Sequence, residues 1–153
     1  MKMVKLFAPL SGEIMQLSKV PDKVFSSKMA GEGIAIDSID DIVLAPADGN
    51  LALILEGNHA FCMKLDSGIL IIVHIGIDTV ELKGEGFQRL TGDGVRVKAG
   101  EPIIRIDRKK ILEKGYSLIT PVLITNMNLV REMSCTNLTK VEAGKDIIMS
   151  YKI

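Results

Sequence analysis

A chain of 153 residues with 19 basic and 19 acidic side chains has no formal net charge, which excludes broad electrostatic capture of nucleic acid or an anionic membrane. Its longest strictly apolar run, Ile69-Leu70-Ile71-Ile72-Val73, is far too short for a bilayer-spanning helix. Cys62 and Cys135 show no CxxC spacing and no secretory leader precedes them, so both read as reduced thiols of a cytoplasmic protein.

Short runs rich in Ile, Val and Leu follow one another along the chain, divided by Pro, Gly, Asp and Asn: LFAPLSGEIMQL, GEGIAIDS, DIVLAPADGNLALIL, HAFCMKLDSGILIIVHIG, VRVKAGEPIIRID, LITPVLIT and VEAGKDIIMSYKI. This punctuation predicts an all-β fold, an antiparallel sandwich/barrel hybrid forming one domain over residues 1–153. Helix is minor. Arg108 to Lys114 reads as a short helix, with Asp107 as N-cap and Gly115 beyond its end. A single further turn is predicted between Asn126 and Glu132.

Two echoes predict duplicated β units. Ala8-Pro9-Leu10-Ser11-Gly12 recurs as Ala45-Pro46-Ala47-Asp48-Gly49, and Val97-Lys98-Ala99-Gly100 recurs as Val141-Glu142-Ala143-Gly144, the second followed both times by paired isoleucines. Pro-x-x-Gly and Ala-Gly turns also recur in unrelated β proteins, so the echoes alone leave both readings open. The opening tripeptide Met1-Lys2-Met3 resembles a biotin-acceptor sequence. A biotinyl lysine belongs at a hairpin tip between two half-repeats, whereas this one has no strand before it, so biotin or lipoyl carriage is set aside.

The chain has only two histidines, His59 in NHAF and His74 at the end of the apolar run. The segment between them reads as a hairpin with Ser67-Gly68 as a two-residue loop. In that register Phe61 faces His74 and His59 faces Gly76, so the imidazoles share one face as diagonal neighbours on an accessible apolar wall. A three-residue loop would put them on opposite faces.

Two adjacent imidazoles suit metal ligation, general acid/base work, or covalent catalysis with one ring as nucleophile and the other as donor. Metal ligation is the weakest, because catalytic zinc wants three protein ligands and the further candidates are carboxylates, Asp78, Glu81 and Glu32. No HExxH motif and no serine in a nucleophile elbow is present. Apolar neighbours Ile72, Val73 and Ile75 favour a neutral His74 ring able to attack phosphorus. Phosphoryl transfer relies mainly on positioning and charge compensation, which so sparse a site can supply.

The block HIGIDTVELKGEGF with its upstream NHAF closely resembles the glucose-type IIA phosphocarrier family of the bacterial phosphoenolpyruvate-dependent sugar phosphotransferase system. The resemblance extends from FAPLSGEIMQLSKVPDKVFSSKMAGEGIAI through LAPADGNLALIL and VRVKAGEPII to ITPVLITNM. It implies a compact antiparallel β-sandwich and a phosphohistidine relay. In such a relay the phosphocarrier protein HPr donates a phosphoryl group, and the IIA domain passes it to a cysteine on the IIB domain of a glucose-type permease.

Carried onto this chain, the resemblance makes His74 the phosphoryl acceptor, through Nε2, and His59 its catalytic partner. It places Glu32, Asp78 and Gly76 beside the site, and Leu55 and Ile72 at apolar positions that serve either partner docking or core packing. It implies no metal and no organic cofactor, a cytoplasmic location, and contact with a membrane only through the permease. Members commonly carry Thr two residues ahead of the first histidine, where a hydroxyl orients that ring; here the position is Gly57. Ile75 stands where Phe is frequent. Two rivals stay open: a regulatory binding module switched by phosphorylation of His74, and a zinc peptidase on a similar duplicated β scaffold.

Overall fold

The structure is a computed structural model that describes residues 3–153; Met1 and Lys2 of the opening tripeptide lie outside the described residues. The apolar runs form strands: β1 Met3–Phe7, β2 Gly12–Gln16, β3 Glu32–Ser38, β4 Ile42–Leu44, β5 Gly49–Ile54, β6 Ala60–Lys64 and β7 Leu70–His74 in the first half. The second half holds β8 Phe87–Arg89, β9 Val95–Val97, β10 Pro102–Ile106, β11 Ile119–Ile124, β12 Glu132–Cys135, β13 Lys140–Val141 and β14 Ile147–Lys152. Every ladder among the described residues is antiparallel, in the orders β13-β2-β3-β11-β7-β6-β5-β9, β4-β10-β8 and β1-β14-β12.

The sequence echoes are echoes in space. Gly12 pairs with Val141 and Gly49 with Val97, the same position of each repeat meeting the same position of its partner. The Gly144 N–H donates to the Ala8 carbonyl at 2.8 Å, and the Gly100 N–H to that of Ala45 at 2.9 Å. The two halves also exchange equivalent bonds, Phe7 N–H to Pro46 O at 2.8 Å and Leu44 N–H to Pro9 O at 2.9 Å. Buried backbone polar groups need partners, and the repeated Pro-containing turns supply them reciprocally across the pseudo-twofold relation.

Two helices were formed from short capped segments. The predicted one is α2, Arg108–Glu113, where the Asp107 carboxylate accepts from Lys110 N–H and Ile111 inserts into the core. The predicted turn after Asn126 is a 3-10 turn over Met127–Leu129. The other helix is α1, Lys23–Ser26, capped by Asp22, which accepts from Val24 N–H at 2.9 Å. At four residues it is too short to show a hydrophobic period, which is why pattern reading passed it over.

The core is divided. The larger cluster fills the space between the sheets, and Ile71 and Val73 of β7 point into it at 1% and 0% exposure. A smaller cluster of Leu17, Val20, Phe25, Ala35, Ile77 and Leu123 lies on the other face of the long sheet, where Ile72 packs against it. β7 is therefore apolar on both faces and reads as an unbroken run rather than an alternating one.

One expected feature is corrected. The hairpin between β6 and β7 turns through three residues, Asp66, Ser67 and Gly68, with Leu65 N–H donating to Ile69 O and Gly68 at φ 91°. A turn closed by a left-handed glycine is the usual three-residue hairpin, and Asn126 fastens its tip by donating to Gly68 O and accepting from Leu70 N–H. His74 consequently pairs with Ala60, and Phe61 with Val73.

Candidate functional site

His74 is the last residue of β7, on the face that carries Ile72 and the smaller cluster. His59 precedes β6, and its carbonyl accepts the Ile75 N–H at 2.7 Å. Because His59 stands outside the ladder, strand alternation does not dictate its direction. Its ring turns to meet that of His74 edge to face, with centroids 5.3 Å apart and planes at 76°. The neighbours expected from the two-residue loop are thus found, for a different reason. Their accessibility is also corrected: His59 is only 5% exposed, while His74 is partly open.

The loop after β7 orients the His74 ring. Its Nδ1 lies 2.8 Å from the Gly76 carbonyl oxygen. A carbonyl only accepts, so Nδ1 carries the proton and the lone pair is left on Nε2. Gly76 sits at φ 83°, and a Cβ there would come within 2.6 Å of both the Ser117 carbonyl oxygen and Thr79 Cγ2. Only glycine brings its carbonyl to this place without strain. Buried Thr79 fastens the same loop by donating from Oγ1 to Ile75 O at 2.6 Å.

Phe25 of α1 covers the other side of His74, with centroids 5.0 Å apart. Burial pushes the His74 pKa below the usual imidazole range, opposed by the Gly76 hydrogen bond and by the carboxylates of Asp22 and Asp78. Burial likewise lowers the His59 pKa, and the neighbouring His74 lowers it further. Both shifts favour the neutral ring. A proton-fixed imidazole with a free Nε2 beside a second imidazole has the chemistry to supply a nucleophile and a donor.

The family described as phosphoenolpyruvate-dependent sugar phosphotransferase system, EIIA 1, matches residues 4–130. A glucose-specific EIIA component of the phosphotransferase system from Haemophilus influenzae is 42% identical over 151 residues, covering 97% of this chain and 89% of that protein. The chain belongs to this EIIA family. An N-acetylglucosamine-specific EIICBA component from Klebsiella pneumoniae is 42% identical over 147 residues, covering 96% of this chain but 23% of that longer protein. The glucose permease IIA from Mycoplasma capricolum superposes with a TM-score of 0.91 at 32% identity, covering 98% of this chain and 96% of that one.

As an EIIA component the protein is a phosphotransferase of the sugar phosphotransferase system, working in a phosphoryl relay with the other components of that system. Its all-β fold is that of glucose permease IIA. None of the helices among the described residues is long and apolar enough to cross a membrane.

The remaining flanking residues of this EIIA domain are distributed as follows. Asp78, at φ 59°, opens the 3-10 turn Thr79–Leu82 and acts on His74 electrostatically. Leu55 continues β5, its N–H donating to Ala60 O beside the His59 turn. Glu32 stands apart: it pairs with Lys28 at 3.1 Å and faces Ile124, three residues along β3 from the Ala35 row that crosses Pro121 to reach the His74 end of β7. That offset is roughly 10 Å along the strand. Glu32 therefore belongs to the rim of this face rather than to the ring cluster. Phe25 and Asp22 were not singled out from sequence, although the Pro-Asp-Lys-Val-Phe stretch holds an N-cap signal that could have found them.

Proposed function

We propose that His74 is the phosphoryl acceptor of this EIIA domain. The carrying observation is the Gly76 carbonyl 2.8 Å from Nδ1, which leaves Nε2 as the attacking atom. Nε2 forms a bond to phosphorus of a phosphohistidine on HPr as the N–P bond of the donor breaks, and the bonding pair stays with the donor imidazole. The proton stays on Nδ1 throughout, donated to the Gly76 carbonyl oxygen. His59, held edge-on to His74, donates to the phosphoryl oxygens, whose charge needs a fixed partner in so apolar a setting.

The group then leaves for a cysteine sulfur on the IIB domain of a glucose-type permease, the N–P bond breaking as the S–P bond forms. The glucose-specific name of the Haemophilus relative supports that choice of permease, and the N-acetylglucosamine-specific EIICBA component supports a IIB partner. Residues 1–153 act as one cytoplasmic carrier domain that meets the membrane through the permease. Exposed Val24, Met29 and Val80, on and beside the elements that bear Phe25 and Asp78, provide the docking surface with Leu55 and Ile72, and the rim carboxylates Glu32 and Asp78 meet basic groups on the partners.

Incubation with phosphoenolpyruvate, the first enzyme of the system and HPr tests the proposal. The intact protein gains one acid-labile phosphate by mass, and His74→Ala gains none. Uptake by His74→Ala would overturn the assignment.

A further inference from the structure

The Nδ1 of buried His59 has no hydrogen-bond partner among the described residues. Gly57 lies beside it without a side chain to give one: a Cβ there would sit 3.4 Å from that nitrogen. The direction of the His59 ring is therefore set by the backbone turn before it, residues 55–58. Asn58 in this turn is held at φ 62°, a left-handed conformation that needs support in any residue with a side chain.

That support comes from β8. Arg89 donates from Nε to Asn58 Oδ1 at 2.6 Å and from a terminal nitrogen to the Ile54 carbonyl at 3.4 Å, so one planar guanidinium joins both ends of the turn. Asp93 aims it. Its carboxylate lies 3.7 Å from the other terminal nitrogen of Arg89 and accepts the Ile54 N–H at 3.3 Å. A rigid fork bridges two acceptors in fixed geometry, which the single ammonium of lysine does not do.

We propose that Arg89 is a positioning residue of the relay, acting through Asn58 to hold the His59 ring against His74 where Gly57 provides no side chain to do so. This rests on the role given to His59 above. Phosphoryl transfer is steep in geometry, so a turn released by removing the brace slows the step His59 serves.

The test uses Arg89→Gln, Arg89→Lys, Asn58→Ala and the Arg89→Gln/Asn58→Ala double variant, each phosphorylated through HPr and mixed with a IIB domain in single-turnover transfer. Each single variant slows transfer about tenfold. The double variant is no slower than Arg89→Gln, because the bond that Asn58→Ala removes is already lost with the guanidinium. Arg89→Lys behaves like Arg89→Gln. In 15N spectra the His59 ring signals move in Arg89→Gln, while amides away from residues 54–59 and from the site of substitution in β8 and its neighbours keep their positions, which a general loss of structure would not allow.

Wild-type transfer by Arg89→Lys, multiplying defects in the double variant, or unmoved His59 signals would each overturn the role of Arg89. Full-rate transfer by His59→Ala would instead overturn the reading of His59 itself. A defective His59→Ala beside a full-rate Arg89→Gln would leave that reading intact and remove only this one.

Discussion

The imidazoles of His59 and His74 touch edge to face at 5.3 Å, although the β6–β7 ladder pairs His74 with Ala60 and includes His59 only through its carbonyl. The contact is made at the frayed end of a hairpin, where a turn rather than a pleat decides where a side chain points. The two rings are fixed by different parts of the chain and can fail separately.

The first consequence concerns His59→Ala. His74 keeps its Gly76 hydrogen bond and its Phe25 cover in this variant, so phosphate uptake from HPr survives. Onward transfer loses a donor to the phosphoryl oxygens and falls by about 10²-fold, the usual effect of deleting one oriented donor. Single-turnover transfer to a IIB domain measures this; a wild-type rate would contradict the donor role.

The second concerns pH. Burial lowers the pKa of both histidines below 6.5, so each ring binds fewer protons folded than unfolded in the interval between its folded pKa and 6.5. Stability is then full above pH 6.5 and declines as pH falls from 6.5 through the folded values, because charging a covered imidazole favours the unfolded chain. Denaturant melts of the protein and of a His59→Gln/His74→Gln variant between pH 5 and 8 isolate this share. Their stability difference should change in that direction across the acid interval and stay constant above it. Titration of either ring above 6.5 by NMR would show the shift to be reversed.

Much of this was legible in the sequence because it depended on local punctuation. The repeated Ala-Pro-x-x-Gly and Val-x-Ala-Gly turns marked a duplication that the Gly12–Val141 and Gly49–Val97 pairs bear out, and Asp107 and Gly115 bracketed α2. The adjacency of the histidines was foreseen through a wrong register. Ser67-Gly68 looks like a two-residue turn, but whether Asp66 joins the loop depends on Asn126, 58 residues from the Gly68 carbonyl it binds. Phe25 was missed for a related reason: Asp22 signals the start of α1, but a single capped turn shows its purpose only when the long sheet carries His74 beneath it.

Phe25→Ala should therefore act on both stability and charge. Phe25 is 7% exposed and joins Leu17, Val20 and Leu123 in the smaller cluster, so its truncation costs about 3 kcal/mol. Loss of the ring also rehydrates His74, and the His74 pKa rises toward 6.5 as the desolvation that lowers it weakens. Urea unfolding and a histidine NMR titration check the two effects, and an unchanged His74 titration would show that Phe25 does not shield the ring.

The sharpest case is Gly76→Ala, because one methyl group meets two obstacles. At φ 83° the added Cβ lies 2.6 Å from the Ser117 carbonyl oxygen and 2.6 Å from Thr79 Cγ2, both distances below van der Waals contact. The carbonyl of Ser117 is held by accepting Ile77 N–H, and Thr79 by donating to Ile75 O, so neither yields without breaking a bond of the same loop. The backbone strain alone costs on the order of 1–3 kcal/mol. Relief requires residue 76 to rotate, which carries its carbonyl away from His74 Nδ1 and frees the ring to place its proton on either nitrogen. Uptake of phosphate from HPr should then slow about tenfold or more even in the fraction that stays folded. The rate of phosphate gain by mass, normalised to folded protein, decides the matter: a folded Gly76→Ala that accepts phosphate at the parent rate would show that the 76 carbonyl does not set the nucleophile.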